Sequence, residues 1–298
     1  MSRTVDVFQV DAFTTRLFSG NPAGVVLGAD LLSDAEMQAI ARELNNGDTA
    51  FVLQATGDDH DIRVRFFTPR TEAAFVGHAT LAAHAVLARR DPRGVRRQAG
   101  KAGLVEVTAL ENGTRFSIRQ PPPSLGRLPS RDELEPVLSA LGIDGDLLDP
   151  DCPARIAGSG STRLLLALKQ GAALQGLTPD LAALGRLSPQ IGAAGYFLFS
   201  RKPALADVDV ESRMFCPALG IPEDPVSGNA HGLLGTYLLE LGLLNVREGR
   251  AAFRGAQGHH MGRPGQVGIQ LDVDSAGRCA GAHIEGAAVL VFETQIEL

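Results

Sequence analysis

Two stretches of the chain carry the same residues in the same order. Arg65-x-Phe67-x-Pro69 followed by Gly77-His78-Ala79 is matched by Arg213-x-Phe215-x-Pro217 followed by Gly228-Asn229-Ala230. In each, the glycine opens a run that is apolar nearly all round, over 77–88 and 228–241, the pattern of a helix buried on every side. Strand-like runs precede both: AFVLQ, with Phe51 16 residues before Phe67, and GYFLFS, with Phe197 18 residues before Phe215. Matches in one order indicate an internal duplication. The fold class expected is therefore α/β (α+β), with two pseudo-symmetric domains, each a mixed sheet wrapped around one central buried helix.

Pro121, Pro122 and Pro123, followed by Ser124 and Gly126, form a stiff polar connection that marks the boundary. It gives a first half, 1–123, which the last C-terminal residues can complete, and a second half, 124–298. In the first, apolar alternation predicts strands at 5–13, 23–27, 50–54, 62–67, 103–109 and 114–119. Ser33 with Glu36 is a capping box for a helix over 34–44, whose Met37, Ile40, Ala41 and Leu44 form one apolar face. The second half has a similar box, Ser130 with Glu133, for a helix at 131–141. Strands are expected at 162–168, 195–200 and 207–215, with a short helix after Pro179.

Composition narrows the function. With 44% hydrophobic and 21% charged residues over 298, the chain is globular and long enough to bury a core. No run of about 18 apolar residues exists to span a bilayer, and the opening MSRTVDVFQVDAF lacks the apolar region of a signal peptide. Cys152, Cys216 and Cys279 are odd in number and without CxxC spacing, which argues against a disulfide framework or zinc ribbon and for a reducing cytoplasm. A net charge of −6, scattered Lys and Arg, no Trp and two Tyr make a poor nucleic-acid binder.

The chemistry must then be local. Helix starts present unpaired N–H groups, and two such starts, at Gly77 and Gly228, facing one interdomain cleft would bind a carboxylate or stabilise an enolate without a metal. The plainer reading is ordinary capping. His78 follows Gly77, Asn229 follows Gly228, and Asp224 stands four residues before it. Asp48, in NNGDTAF, is either a turn residue bonding its own backbone or, with the imidazole and second carboxylate, part of a proton-transfer site. His78 and His84 lie about 240° apart on a helix, too far for a shared metal. His259 and His260, among Gly255, Gly258, Gly262 and Gly265, read as part of a glycine-rich loop, and no nucleotide-binding glycine motif is present.

FQVDAFTTRLFSGNPAGVVL, ELNNGDTAFV, FFTPRTEAAFVGHATLAAHAVL, RMFCPALGIPEDPVSGNAHG and QGHHMGRPGQV together resemble the phenazine-biosynthesis PhzF-like isomerases across essentially the whole chain. The resemblance implies a diaminopimelate epimerase-like fold, no cofactor, no metal, a homodimer and a small-molecule carboxylate substrate. It further implies a cofactor-independent isomerase that moves a proton between carbons, as in isomerisation of trans-2,3-dihydro-3-hydroxyanthranilate. The catalytic residues it implies are Asp48, His78 and Asp224, with Gly47, Gly77, Gly228 and Asn229 binding substrate. Three positions depart from the family: Asp48 stands where it has Glu, Gly47 where it has Ser, and Asn229 where it usually has Ser. Those departures motivate the alternative, a catalytically faded ligand-binding or regulatory protein of the same fold. The paired catalytic cysteines of the related racemases are missing, since the positions after Gly77 and Gly228 hold His and Asn, and Cys216 reads as a buried apolar residue.

Overall fold

Strict alternation along the first strands sends one set of side chains to each face of a sheet. The structure, a computed structural model, describes residues 3–158 and 161–298. It divides into two units, Met1–Gln120 with Glu285–Leu298, and Pro121–Ile284. The first contains β1 (Thr4–Ala12), β2 (Asn21–Leu27), α1 (Asp34–Leu44), β3 (Asp48–Gln54), β4 (Ile62–Phe67), β5 (Glu72–Ala73), α2 (Gly77–Arg90), β6 (Val95–Gly100), β7 (Gly103–Leu110) and β8 (Arg115–Gln120). The second contains α3 (Arg131–Leu141), β9 (Arg155–Ala157), β10 (Arg163–Ala167), α4 (Ala172–Gln175), α5 (Leu181–Ile191), β11 (Gly195–Ser200), β12 (Val210–Cys216), β13 (Ile221–Asp224), α6 (Gly228–Glu240), β14 (Arg250–Gln257) and β15 (Gly265–Val273). The last strand, β16 (Cys279–Glu297), gives residues to both units.

In the first unit the order β1-β2-β3-β4-β6-β7-β8-β16 returns on itself, because β16 also pairs with β1. Phe8, Val10, Val25, Ala50, Val52, Val64 and Phe66 meet Ala79, Ala82, Ala83 and Val86 of α2 on one face. Val5, Val7, Val26, Phe51 and Phe67 meet Met37, Ile40 and Ala41 of α1 on the other. The small residues of α2 let the strands close around it. The capping box of α1 is present in both directions.

The second unit repeats this frame, with strand order β16-β15-β14-β12-β11-β10-β9. Its outer layer packs α3 and α5 on Leu164, Leu166, Tyr196, Leu198 and Phe215. Its buried helix is α6, where Gly235 comes against Ile269 and Phe253, and Gly232 against Ile284. The duplicated motifs take the same form in both units. Arg65 Nε donates to Glu72 at 2.8 Å and its guanidinium lies 5.1 Å over Phe67. Arg213 Nε donates to Glu223 at 2.9 Å, with its guanidinium 4.8 Å over Phe215.

Strand register corrects one detail of the sequence match. Phe51 pairs with Arg65, and Leu198 pairs with Arg213, so Leu198 and not Phe197 is the counterpart of Phe51. A one-residue slip exchanges faces: Phe197 instead meets His231 of α6 edge to face, at 5.2 Å. The stretch containing Gly255 and Gly265 is also more regular than its glycines suggest. Gly255 lies within β14 and Gly265 opens β15; the turn between them is a short 3-10 segment, His259–Met261, flanked by Gly258 and Gly262 at positive φ. Among the described residues no helix is long and apolar enough to cross a membrane.

Candidate functional site

Asp48 is the first residue of β3 rather than a turn residue, and it continues the alternation of Ala50 and Val52 on the face that meets α2. Its Oδ2 lies 3.7 Å from Nε2 of His78, the second residue of α2; both side chains are nearly buried. The separation is beyond a good hydrogen bond. Among the described residues His78 Nε2 is a buried nitrogen with no hydrogen-bond partner. Burial pushes the His78 imidazole down to about 4, so it is neutral near pH 7. No side chain caps α2: its N-cap is Val76, in extended backbone. An uncapped helix start beside an unpartnered imidazole and a carboxylate has the makings of an anion and proton-transfer site.

The chain before Asp48 is held by a pair of amides that the sequence reading missed. Asn46 Nδ2 donates to Gln9 Oε1 at 2.8 Å, and Gln9 Nε2 donates back to Asn46 Oδ1 at 3.0 Å. This ties the segment between α1 and β3 to the first strand. Gly47, between Asn46 and Asp48, has ordinary φ and open space where a Cβ would stand. The backbone therefore does not require glycine there, and a serine would fit.

In the second unit Asp224 ends β13, opposite Met214. Four residues on, α6 begins with Gly228 and Asn229. Its N-cap Ser227 accepts from Ala230 N–H through its hydroxyl, at 3.3 Å. The Ser227 carbonyl accepts from His231 N–H at 3.2 Å and from His231 Nδ1 at 2.7 Å. A carbonyl can only accept, so the proton of this neutral imidazole sits on Nδ1. Burial holds His231 down to about 4. Gln257, at the end of β14, bonds both sides of the segment: its Nε2 donates to the Asp224 carbonyl at 2.6 Å and its Oε1 accepts from Ser227 N–H at 3.1 Å. Sequence reasoning passed over Gln257, although it opens the QGHHMG motif.

Cys216 lies on the same strand as Met214. Burial, with the charge of Asp224 adding to it, pushes its thiol up to about 12, and burial likewise raises Cys152 to about 11. Both stay protonated at neutral pH and are poor nucleophiles. Among the described residues no group of three or more His, Cys, Asp or Glu side chains is arranged to hold a metal ion.

Comparison with known proteins agrees with this frame. The family model described as phenazine biosynthesis-like protein matches residues 10–294. The chain is 38% identical over 293 residues to the uncharacterized isomerase YddE of Salmonella typhimurium, covering 97% of each chain. It is 36% identical over 302 residues to an uncharacterized isomerase of Clostridium acetobutylicum, covering all of both. Among solved structures, the Bacillus anthracis phenazine biosynthesis protein of the PhzF family superposes with a TM-score of 0.87 at 28% identity, covering 99% of each chain. A hydroxyproline epimerase from Agrobacterium vitis shares the fold at a TM-score of 0.64 and 14% identity, covering 99% of this chain and 93% of its own.

Proposed function

The chain belongs to the phenazine biosynthesis-like family and is an isomerase, and we propose that it moves a proton between carbons of a small unsaturated carboxylate or amino acid without a cofactor. The observation that carries this is the Asp48–His78 pair at the uncapped start of a buried helix. Asp48 takes a proton from one carbon of the substrate, the electron pair left behind delocalises toward the carboxylate, and the same carboxyl group, its proton exchanging with solvent, protonates another carbon. Nothing is oxidised or reduced, and the enzyme ends as it began. His78, neutral and unpartnered at Nε2, orients a polar group of the substrate. The family resemblance assigns carboxylate binding to the positions of Gly77, Gly228 and Asn229, and assigns to Asp224 the support of the substrate's amino group.

Asp in place of the family's Glu keeps the carboxylate and shortens its reach by one methylene. A misplacement of about 1 Å can cost about 10²-fold in rate, so either the backbone or the substrate's seating compensates for the shorter side chain. The homodimer, on family resemblance, and the cytoplasmic location, on the odd cysteine count without CxxC spacing, stand as part of the same proposal. The test is proton NMR in D₂O of trans-2,3-dihydro-3-hydroxyanthranilate with the purified protein. Conversion with deuterium entering a ring carbon is expected. If neither conversion nor exchange occurs, the substrate is wrong for this chain and other unsaturated acids, or a binding role, take its place.

A further inference from the structure

We infer that Gln257 is a positioning residue: one buried side-chain amide sets the spacing between Asp224 and the first N–H groups of α6. The inference rests on the reading of Asp224, Gly228 and Asn229 given above, and it adds a residue which that reading does not contain. Gln257 is 1% exposed. On β14 it follows the alternation of Phe253 and Gly255, the residues that come against Gly235 and His231 of α6, so its side chain is delivered to the helix's first turn.

The two bonds it makes are of opposite sense. Asp224 offers a carbonyl, which only accepts; Ser227 offers an N–H, which only donates. A primary amide on a two-carbon stem answers both at once, and no other natural side chain of that length does. Glutamate accepts but cannot donate when ionised, methionine has the length and neither function, and asparagine falls a methylene short. Leaving buried backbone groups unanswered is costly, so the four-residue segment 224–227 is fixed at both ends by one neighbour.

A second contact holds the same segment. Gly258, the next residue, has φ +86, and a Cβ there would stand 2.6 Å from the Pro225 carbonyl and 2.3 Å from that of Arg263. The backbone of Gly258 therefore packs directly on Pro225. Val226 is fully buried, and the cap of Ser227 on Ala230, with His231 on the Ser227 carbonyl, continues the chain of contacts into α6. The carboxylate-bearing residue and the helix start are thus spaced by β14, a strand that supplies no group to the chemistry.

The experiment uses the full-length protein and its Gln257→Met and Gln257→Glu variants, with anthranilate as a probe of carboxylate holding. Affinity is read by calorimetry, the Ser227, Gly228 and Asn229 amides by ¹H–¹⁵N NMR, and kcat and KM on whichever substrate the wild type converts. All comparisons are made well below each variant's melting temperature. Both variants should bind anthranilate about tenfold or more weakly and show KM raised to match, with kcat changed much less. The probe-induced shifts at Gly228 and Asn229 should shrink. A role in the fold alone would lower the melting temperature and leave affinity, KM and those shifts unchanged; that result overturns the inference while the site reading stands. If the unsubstituted protein neither binds anthranilate nor turns over a substrate, the site reading itself falls and takes the inference with it, a failure visible before any variant is compared.

Discussion

The two units share a frame and furnish it differently. Register and motif spacing make Asp48 the counterpart of Gly195, Ala73 that of Asp224, and His78 that of Asn229. Each unit thus carries one of the two candidate carboxylates, placed on a different strand of the same scaffold. In the first unit the acid opens β3 and faces an uncapped helix. In the second, a Cβ at Gly195 would lie 2.5 Å from Cys216 Sγ, and the acid comes instead from β13, beside a helix capped by Ser227 and braced by Gln257. A duplicated fold can divide its labour in this way, since two helix starts derived from one pattern are free to diverge around it. On the proposed function, Asp48 and His78 of the first unit carry the proton transfer and Asp224 of the second holds a substrate group still.

The buried histidines diverge in the same manner. In the first unit His84 Nε2 meets Gln98 Oε1 at 3.1 Å; the counterpart of Gln98, by the pairing of β6 with β4 and of β14 with β12, is Gly255. In the second unit His231 fills the space over that glycine, and its own counterpart is Thr80, whose hydroxyl donates to the Val76 carbonyl at 2.8 Å just as His231 Nδ1 donates to that of Ser227.

That exchange can be broken on purpose. A Cβ on Gly255 would stand 2.2 Å from His231 Cδ2, and His231 cannot retreat without losing Ser227. Gly255→Ala should therefore destabilise by at least ~3 kcal/mol, at the upper end of overpacking costs. Adding His231→Thr, which imports the first unit's solution, should recover most of it in chemical denaturation. An alanine variant as stable as the wild type, or one the threonine fails to rescue, would refute the pairing of these positions.

Acid should find the three buried imidazoles next. His78, His84 and His231 are each held down to about 4 by burial, against about 6.5 in the unfolded chain. The folded state binds fewer protons in this interval, so the stability they lend is complete above pH ~6.5 and lost as pH falls toward 4. The urea midpoint should be lower at pH 5 than at pH 7.5, and kcat/KM should show no limb near 6.5. A midpoint that is flat or rises on acidification would contradict the burial of these rings. The smallest effect belongs to Gly47: with open space at its Cβ position, Gly47→Ser should change stability by no more than about 0.5 kcal/mol. A large loss would show that the segment joining α1 to β3 is tighter than described.

Much of the frame was legible because its signals are local. The capping boxes of α1 and α3 and the all-apolar runs of α2 and α6 depend on residues within a turn or two of one another, and helix bounds 34–44 and 131–141 are those observed. The helix after Pro179 is longer than expected, running Leu181–Ile191, because Asp180 caps it and Leu184 and Ile191 reach the core. Strands β6 and β14 to β16 are harder to read because charged residues and glycines interrupt their apolar pattern, although β6 pairs with the next strand, β7, and β14 with the next, β15. The site follows the same rule. Asp48 and His78 sit in recognisable motifs, whereas Gln9, Asn46 and Gln257 act by reaching another strand or segment, which only the register reveals.

The division of labour is tested most directly by comparing Asp48→Asn with Asp224→Asn, using deuterium entry into substrate from D₂O and steady-state kinetics on the same preparations. Loss of the general acid–base group should cut kcat and deuterium entry by about 10²–10⁴-fold in Asp48→Asn with little change in KM, while Asp224→Asn raises KM and leaves exchange at saturating substrate largely intact. If Asp48→Asn exchanges deuterium at the wild-type rate, the proton is carried by another group and the account of the first unit is wrong.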